Sequence, residues 1–359
     1  MSYIYGIQNL GNTCYINVNI QMILNCKEIN DLLVKKKDVV DPSELLFSYT
    51  CILKRLYEIR KEEQLELEDE NNDTIYTRKL RLTSFIEKFR KIFSQVSFNQ
   101  QDCLEGLTFI LNNFHKTLCK YDKHTENQYK IILDNVRYND EIKDLCISTF
   151  KHDIVKDYSL FFNLFYSYYL NTIKCNKCNH KVNRLEQYKE ISLNISNNPL
   201  ENNIEKLLDT YFSEELLEGY KCDECKETEC YKNLCLLNTP KYLIIQLKRF
   251  TFNLTDMKFS KVLKEVNYPL FLDMDKYCLN NNTNSNINSK NIYELTNIIN
   301  HLGISLNSGH YTSHHKILDK WFYADDCSID KVDQSEIFKR NNKILSYVLI
   351  YEKQTKLEG

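Results

Sequence analysis

A single cysteine near the start of the chain has the sequence context of a nucleophile. Cys14 follows two of the chain's seven glycines, Gly6 and Gly11, and opens a segment whose apolar residues have helical spacing. The partial positive charge and free N–H groups at a helix start favour a thiolate and can also face an oxyanion. Asn9 is a candidate second donor to that oxyanion. For a lone cysteine, the commoner interpretation is a buried side chain in a core helix.

Two residues far downstream provide the partners that a cysteine nucleophile needs. His310 follows Gly309 on a predicted strand, and Asp325 lies on the next one. An imidazole can take the thiol proton, and a carboxylate can orient that imidazole. Three other histidines are candidate bases: His301, His314 and His315. The first is predicted to lie in a turn, and the adjacent pair must point to opposite faces of a strand. His310 is favoured because Gly309 gives it room.

Two pairs of cysteines have the spacing of metal ligands. The first CxxC pair is Cys175 and Cys178, the second is Cys222 and Cys225, and 43 residues separate the pairs. Four thiolates are typical of a tetrahedral structural zinc site, because they leave no open coordination position for a substrate. Two nearby cysteines, Cys230 and Cys235, are alternative ligands. A degenerate knuckle without metal is the remaining interpretation.

Periodicity predicts the elements that position these residues. Besides the helix from Cys14, helices are predicted over residues 28 to 60, 82 to 93, 103 to 114 and 204 to 217. Strands or extended segments are predicted over residues 159 to 170, 188 to 195, 240 to 250, 268 to 274, 293 to 299 and 346 to 352. Residues 61 to 74 and 279 to 291 are predicted loops, residues 300 to 303 a turn, and Asp102 a helix cap.

Composition and charge argue against several classes of protein. The chain has 359 residues, of which 43% are apolar and 12% aromatic, which is sufficient for a substantial core. A net charge of -2 and an isoelectric point near 6.5 give no sign of a nucleic-acid or anionic-membrane partner. With no leader and no apolar run of membrane-spanning length, we predict a soluble protein of the cytoplasm, the nucleus or both. Its 14 cysteines are then mostly reduced.

Two stretches of sequence resemble a known family. Residues 8 to 17 are Gln-Asn-Leu-Gly-Asn-Thr-Cys-Tyr-Ile-Asn, and residues 309 to 312 are Gly-His-Tyr-Thr. They closely resemble the Cys and His boxes of the ubiquitin-specific proteases, the papain-like deubiquitinases. Weaker stretches agree in the family's order: Gln100-Gln101-Asp102, the two CxxC pairs, Leu247-Lys248-Arg249-Phe250, Tyr268-Pro269-Leu270, Asn300-His301-Leu302-Gly303 and Trp321 through Asp326. The resemblance covers about residues 5 to 353.

The resemblance implies an α+β fold of the papain-like kind, with thumb, fingers and palm. It implies one catalytic domain over residues 1–355, with a thumb at about 1–155, zinc-bearing β fingers at 156–240 and a palm at 241–355. Carried over by position, the resemblance makes Cys14 the nucleophile, His310 the base, Asp325 its orienting group and Asn9 the oxyanion donor. Asp326 is implied as a supporting residue.

The implied activity is hydrolysis of the isopeptide or peptide bond after the C-terminal glycine of ubiquitin, through a thioester. The implied partners are ubiquitin and ubiquitinated proteins, zinc is structural, and catalysis needs no cofactor. The sequence departs from the family pattern at two positions. Leu104 stands where the family usually has histidine, and Val18 where serine is common.

Three competing interpretations remain at this stage. A pseudoenzyme would bind ubiquitin without cutting it, although Cys14, His310 and Asp325 are intact. A protease for another ubiquitin-like modifier would share the chemistry and differ in its binding surfaces. A zinc-ribbon nucleic-acid module is disfavoured, because the region near the cysteine pairs carries acidic residues such as Glu214 and Glu218 rather than a basic surface.

Overall fold

Helices dominate the first third of the chain and strands the remainder, so the predicted α+β class is confirmed. The computed structural model describes residues 4–35, 41–66, 79–93, 101–121, 140–253, 258–279, 291–305 and 308–354. Within these ranges, no helix combines the length and apolar character that crossing a membrane requires. The Asn-rich tract (280–290), residues 67–74, the lysines at 36 and 37, and Gln100 fall outside the described ranges.

The described helices and strands have the following bounds. The helices are α1 Cys14–Leu24, α2 Lys27–Lys35, α3 Leu45–Glu66, α4 Thr83–Ile92, α5 Cys103–Tyr121, α6 Asp140–Asp157, α7 Leu160–Phe165, α8 Ile204–Tyr211, α9 Gln334–Ile337 and α10 Arg340–Leu345. The strands are β1 Gly6–Ile7, β2 Lys79–Leu80, β3 Ser167–Cys175, β4 Lys181–Tyr188, β5 Glu190–Asn194, β6 Glu215–Leu216, β7 Cys230–Leu236, β8 Tyr242–Lys248, β9 Phe250–Asn253, β10 Lys258–Lys261, β11 Phe271–Asp273, β12 Ile292–Ser305, β13 Ser308–Ile317, β14 Lys320–Asp325, β15 Ser328–Val332 and β16 Ser346–Lys353.

The chain forms two compact units. Unit 1 comprises Met1–Tyr121, Gln246–Glu265 and Thr296–Leu349, and unit 2 comprises Asp122–Ile245, Val266–Leu295 and Ile350–Gly359. Strands β8, β12 and β16 contribute residues to both units. The predicted bounds of thumb, fingers and palm stay predictions.

In unit 1, helix α1 packs against α2, α5 and β13. All 11 residues of α1 are buried, as its apolar spacing predicts. The predicted core face of α4 is also buried at Phe85, Ile86 and Phe89, whereas Ile92 is exposed. The carboxylate of Asp102 accepts the backbone N–H groups of Leu104 and Glu105, which confirms the predicted cap of α5.

An antiparallel sheet in unit 1 carries the downstream part of the candidate site. Its strands follow the order β15, β14, β13, β12, β16, β8. The buried guanidinium of Arg249 follows the end of β8 and connects it to neighbouring segments. It donates hydrogen bonds to four backbone carbonyls, those of Ser346, Val262, Lys264 and Lys343. Each of these carbonyls gains a charged donor, which holds the loops around the sheet.

Unit 2 is built around a separate four-stranded sheet with the order β4, β3, β7, β6. In β3, Tyr169 stacks on Tyr188 of β4 with ring centroids 3.9 Å apart. At its other end β3 reaches Cys175, which pairs with Cys230 of β7. The aromatic end is therefore packed, whereas the far end carries cysteines.

Several predicted boundaries are wrong. Residues 160–165 form helix α7 rather than a strand, because Ser159 caps the first turn and Phe161 and Phe165 are buried one turn apart. Helix α3 continues to Glu66, into the predicted loop, and α8 ends at Tyr211 before β6. Residues 300–303 lie within β12 rather than forming a turn, because residues 300–302 pair with β13, and the register shifts between Leu302 and Ser305.

Candidate functional site

Cys14 is the first residue of α1, and a tight loop leads into it. Gly11 and Asn12 have left-handed backbone angles, with φ of 89° and 51°. The side-chain oxygen of Asn9 accepts the N–H groups of Gly11 and Thr13 at 3.0 and 3.3 Å. The Thr13 hydroxyl accepts from Leu10 at 2.9 Å and does not cap the helix. The positive end of the helix therefore lies at Cys14 without a capping side chain.

His310 and Asp325 lie on neighbouring strands and share a short hydrogen bond. His310 Nε2 lies 2.6 Å from Asp325 Oδ1. Because a carboxylate only accepts, Nε2 must carry the proton, and Nδ1 of the neutral ring is left to act as a base. Contact with Cys14 and the bond to Asp325 raise the pKa of His310 to about 9, although partial burial opposes the shift. We call Cys14, His310 and Asp325 the Cys–His–Asp cluster.

Asp326 adjoins the cluster and binds Asn9. Its Oδ2 accepts the side-chain N–H of Asn9 at 2.8 Å and lies 4.0 Å from His310 Nε2. An amide nitrogen has two N–H groups, so Asn9 keeps one beyond the bond to Asp326. The five predicted residues of this region therefore lie together.

The exposure of the cluster is uneven. Cys14 is only 1% exposed, whereas the side chains of His310 and Asp325 are 34% and 42% exposed. A substrate carbonyl can therefore approach the histidine from solvent but must displace neighbouring groups to meet the sulfur.

The other candidate histidines are buried. Burial lowers the pKa of His301 and of His314 to about 4 and that of His315 to about 3, so all three are neutral at pH 7. His315 Nε2 bonds with the Ser313 hydroxyl at 2.7 Å. These side chains belong to the packing of the sheet.

Gly309 is required by close packing against His301. A Cβ at this position would lie 2.3 Å from the Leu302 carbonyl oxygen and 2.5 Å from His301 Nε2. The glycine before His310 thus lets β13 lie against β12, which is a more specific role than giving the histidine room.

Two polar residues outside the predicted set contact this region. Asn17 Nδ2 donates to Asp326 Oδ1 at 2.7 Å. Lys261 Nζ donates to His301 Nδ1 at 2.9 Å, and burial lowers the pKa of Lys261 to about 8. The position of Asn17, three residues after Cys14 on one helix face, is a signal readable from sequence. Nothing in the sequence marks Lys261.

The four predicted metal ligands come together in unit 2. Their sulfur atoms all lie within 4.8 Å of one another, with Cys175 Sγ 3.5 Å from Cys225 Sγ and Cys178 Sγ 3.6 Å from Cys222 Sγ. Four sulfurs bound tetrahedrally to zinc at about 2.3 Å lie roughly 3.8 Å apart, so the spacing fits such an ion. We call these residues the four-cysteine cluster, which can bind a structural metal.

Each pair of the four-cysteine cluster sits in the same kind of turn. The carbonyl of Cys175 accepts from Asn179 at 3.1 Å, and that of Cys222 accepts from Lys226 at 3.0 Å. Asn179 and Lys226 both have left-handed backbone angles, with φ of 58° and 61°. The two turns thus have the same backbone geometry, and each presents two sulfurs. Together they supply the four ligands of a closed tetrahedral site.

Protonation within the four-cysteine cluster also fits a cation. The Cys178 backbone N–H lowers the pKa of the Cys175 thiol to about 6. The pKa of Cys178 rises to about 12, because its bonds to Cys225 and the other thiols outweigh the lowering effect of the His180 backbone N–H. Four thiolates within 4.8 Å of one another repel, so a bound cation would be needed to keep all four deprotonated.

The two alternative ligands fall outside the four-cysteine cluster. Cys230 is buried beside Cys175, with its sulfur 3.8 Å from the Glu227 carbonyl oxygen, and Cys235 is half-buried farther along β7. The two departures from the family pattern are both buried: Leu104 lies in the first turn of α5, and Val18 lies in α1.

A family model described as ubiquitin carboxyl-terminal hydrolase matches residues 5–351. "Probable ubiquitin carboxyl-terminal hydrolase R319" of Acanthamoeba polyphaga mimivirus is 28% identical over 96% of this chain and 90% of its own length. Ubiquitin carboxyl-terminal hydrolase Usp2 of Drosophila melanogaster is 29% identical and ubiquitin carboxyl-terminal hydrolase 2 of Bos taurus 24% identical, each over 97% of this chain. The chain spans only 34% and 54% of these two proteins.

Solved structures of a yeast complex share the fold. A structure of the yeast SAGA DUB module matches with a TM-score of 0.72 and 20% identity, covering 98% of this chain and 69% of that one. The SAGA Ubp8/Sgf11/Sus1/Sgf73 module bound to ubiquitin aldehyde matches with a TM-score of 0.68 and 22% identity, covering 98% and 70%. The likeness extends over nearly the whole described chain.

Proposed function

Because the chain belongs to the ubiquitin carboxyl-terminal hydrolase family, we propose that it is a cysteine-dependent deubiquitinase. It hydrolyses the isopeptide or peptide bond after the C-terminal glycine of ubiquitin. The observation that carries this proposal is the meeting of Cys14, His310 and Asp325, with the 2.6 Å bond that orients the imidazole. The ubiquitin aldehyde bound to one structural relative supports ubiquitin as the partner.

The reaction is an acyl transfer in two steps. His310 Nδ1 takes the proton of Cys14, and the thiolate attacks the carbonyl carbon of the terminal glycine. The C–N bond breaks, the amine leaves with the proton from His310, and a thioester remains on Cys14. Water then attacks the thioester while His310 takes its proton, and the carboxylate of ubiquitin and the free thiol are released.

The oxyanion of each tetrahedral intermediate is held by Asn9 and the backbone N–H of Cys14. The second N–H of Asn9 is the donor, since the first is bonded to Asp326. The uncapped start of α1 adds its positive end to the same place. Both donors would bond to the oxygen as negative charge develops on it, which lowers the energy of the transition state more than that of the bound substrate.

A structural zinc ion in the four-cysteine cluster completes the proposal. Cys175, Cys178, Cys222 and Cys225 would hold it, and it would join two turns of unit 2 that lie far apart in the sequence. With four sulfur ligands the ion has no position for substrate and supplies stability alone.

The test is the reaction of the purified protein with ubiquitin that carries a C-terminal electrophile. We expect one covalent adduct, mapped by mass spectrometry to Cys14, together with cleavage of a fluorogenic ubiquitin substrate. Cys14→Ala should abolish both, whereas Cys51→Ala, which removes an exposed cysteine, should leave both intact.

Parallel probes separate the competing functions. Adducts with probes of another ubiquitin-like modifier, and none with ubiquitin, would assign the protein to that modifier instead. A folded protein that binds ubiquitin but neither forms the adduct nor cleaves the substrate would be a pseudoenzyme and would refute the proposed activity.

A further inference from the structure

Asn17 is a buried polar residue on the same helix as the nucleophile. It lies three positions after Cys14 in α1 and is 2% exposed. Its Nδ2 donates to Asp326 Oδ1 at 2.7 Å and lies 3.4 Å from the Ile7 carbonyl oxygen. The side chain therefore links α1 to the residue that follows Asp325.

Asp326 connects Asn17 to the proposed oxyanion donor. Its two carboxylate oxygens have different hydrogen-bond donors: Oδ1 accepts from Asn17, and Oδ2 accepts from Asn9 at 2.8 Å. Its backbone is fixed as well, because its carbonyl accepts from Ile7 at 2.7 Å and its φ is 45°. Because both of its oxygens are bonded, the Asp326 carboxylate does not rotate freely. The bond from Asn17 therefore fixes the orientation of the carboxylate that Asn9 contacts.

We propose that Asn17 is a positioning residue of the reaction, which aims the amide of Asn9 through Asp326. This inference rests on the proposed function. Among the described residues, the Asn17 side chain donates to Asp326 and Ile7 and not to the sulfur or the imidazole, so its effect is expected on the oxyanion rather than on the nucleophile. Since the oxyanion forms only after the attack, the loss should fall on kcat and leave KM nearly unchanged.

The amide nitrogen of Asn17, and not its oxygen, makes the contact with Asp326. The Oδ1 atom of Asn17 is buried, and within the described residues it has no hydrogen-bond partner. An unpaired buried oxygen is unfavourable for folding, so an apolar residue would suit the helix better. The donor group facing Asp326 is the feature that an apolar residue would lack.

Asn19 offers a matched control in the same helix. It is fully buried, its Nδ2 donates to the Cys103 carbonyl at 2.8 Å, and its Oδ1 also lacks a partner within the described residues. This hydrogen bond connects α1 to α5 and does not involve Asp326. Asn17→Ala removes the bond to Asp326 and the longer one to Ile7, Asn19→Ala removes the bond to Cys103, and only the first variant changes the partners of the carboxylate.

The experiment compares cleavage of a fluorogenic ubiquitin substrate by the two variants with thermal unfolding of each. We expect Asn17→Ala to lower kcat about tenfold or more with KM within about twofold, and Asn19→Ala to keep kcat within about twofold. The rate at which iodoacetamide alkylates Cys14 should be unchanged in Asn17→Ala, because alkylation forms no oxyanion. Asn9→Ala and the double variant with Asn17→Ala should have the same kcat.

Asn17→Asp is the second variant, which tests the proposal if Asn17→Ala does not fold. It keeps the volume but places a second carboxylate against Asp326, so its activity relative to wild type should rise as pH falls and one carboxylate gains a proton. Asn19→Asp should show no such rise. Equal kcat in the two alanine variants, or additive losses with Asn9→Ala, would overturn the inference while leaving the proposed function intact. An inactive wild type would refute both.

Discussion

The Cys–His–Asp cluster in unit 1 and the four-cysteine cluster in unit 2 differ in how the chain brings their members together. Asn9 and Asp326, which bond beside the first cluster, are 317 positions apart, whereas Cys178 and Cys222 are 44 apart. The first cluster is held by single hydrogen bonds between a loop, a helix and a strand. The second is presented by two equal turns, each of which orients its own pair of sulfurs.

This difference predicts different responses to damage. A cluster assembled by distant contacts depends on the packing of its whole unit, while each reactive atom in it has a separate role. A cluster of equivalent ligands has no such division, and its geometry is completed by the ion it binds. Loss of the nucleophile or of the base should therefore abolish chemistry in the first cluster, whereas loss of one ligand should weaken folding in the second.

Replacement of His310 should have the largest effect. His310→Gln keeps a polar side chain but removes the base, so kcat should fall by about four orders of magnitude. The melting temperature should stay within a few degrees of wild type, because the His310 side chain is 34% exposed. Turnover of a fluorogenic ubiquitin substrate and thermal unfolding measure the two quantities. A residual activity above a tenth of wild type would show that another group acts as base.

Removal of one sulfur from the four-cysteine cluster should affect folding instead. Cys222→Ser should abolish binding of one equivalent of zinc, measured by metal analysis, and lower the melting temperature by about 5 °C or more. Cys235→Ser, on β7 outside the cluster, is the matched control. A chelator should destabilise wild type and leave the Cys222→Ser variant unchanged. Retention of zinc by that variant would indicate that Cys230 replaces the missing ligand.

Gly309→Ala probes the packing on which the first cluster depends. The added Cβ would lie 2.3 Å from the Leu302 carbonyl oxygen, which belongs to the backbone and cannot move aside. We expect a loss of about 2–4 kcal/mol in the free energy of unfolding by denaturant, with a lower kcat.

Gly219→Ala is the corresponding change in unit 2, where a Cβ would meet nothing within 4 Å. Its only strain is a φ of 79°, so a cost of about 1 kcal/mol is expected. Equal losses at the two glycines would contradict the idea that the first cluster depends more on close packing.

The sequence predicted well what is local. The start of α1 at Cys14, the cap by Asp102 and the CxxC turns are set by neighbouring residues, and family resemblance supplied the distant histidine and aspartate. Periodicity failed for α7, because Phe161 and Phe165 favour strands intrinsically but are buried one helical turn apart.

The sequence could not predict the partners of long-range polar contacts, even where, as at Asn17, the position of one member is suggestive. The bond from Asn17 to Asp326 spans 309 positions, and the bond from Lys261 to His301 spans 40. The amide of Asn17 and the ammonium of Lys261 are the same chemical groups as the many other asparagines and lysines of the chain carry. Strand registers far along the chain decide which of them meet, since β14, which precedes Asp326, pairs with β13, and β10, which ends at Lys261, pairs with β9.

The pH dependence of activity should give the smallest and most specific effect. Contact with Cys14 and the bond to Asp325 raise the pKa of His310 from 6.5 to about 9. The imidazolium that protonates the leaving amine is therefore lost as pH rises through about 9, and kcat/KM should fall there. Asp325→Asn removes one cause of the shift, so the alkaline limb should move to lower pH by about one unit.

The four-cysteine cluster provides the internal reference for this measurement. Far-UV circular dichroism and bound zinc should stay constant between pH 7 and 10 in both proteins, because the ion holds its ligands as thiolates. The change in activity is then a titration and not an unfolding. An alkaline limb that does not move in Asp325→Asn would mean that Cys14, and not the carboxylate, sets the charge on His310. The 2.6 Å bond would then orient the imidazole ring without raising its pKa.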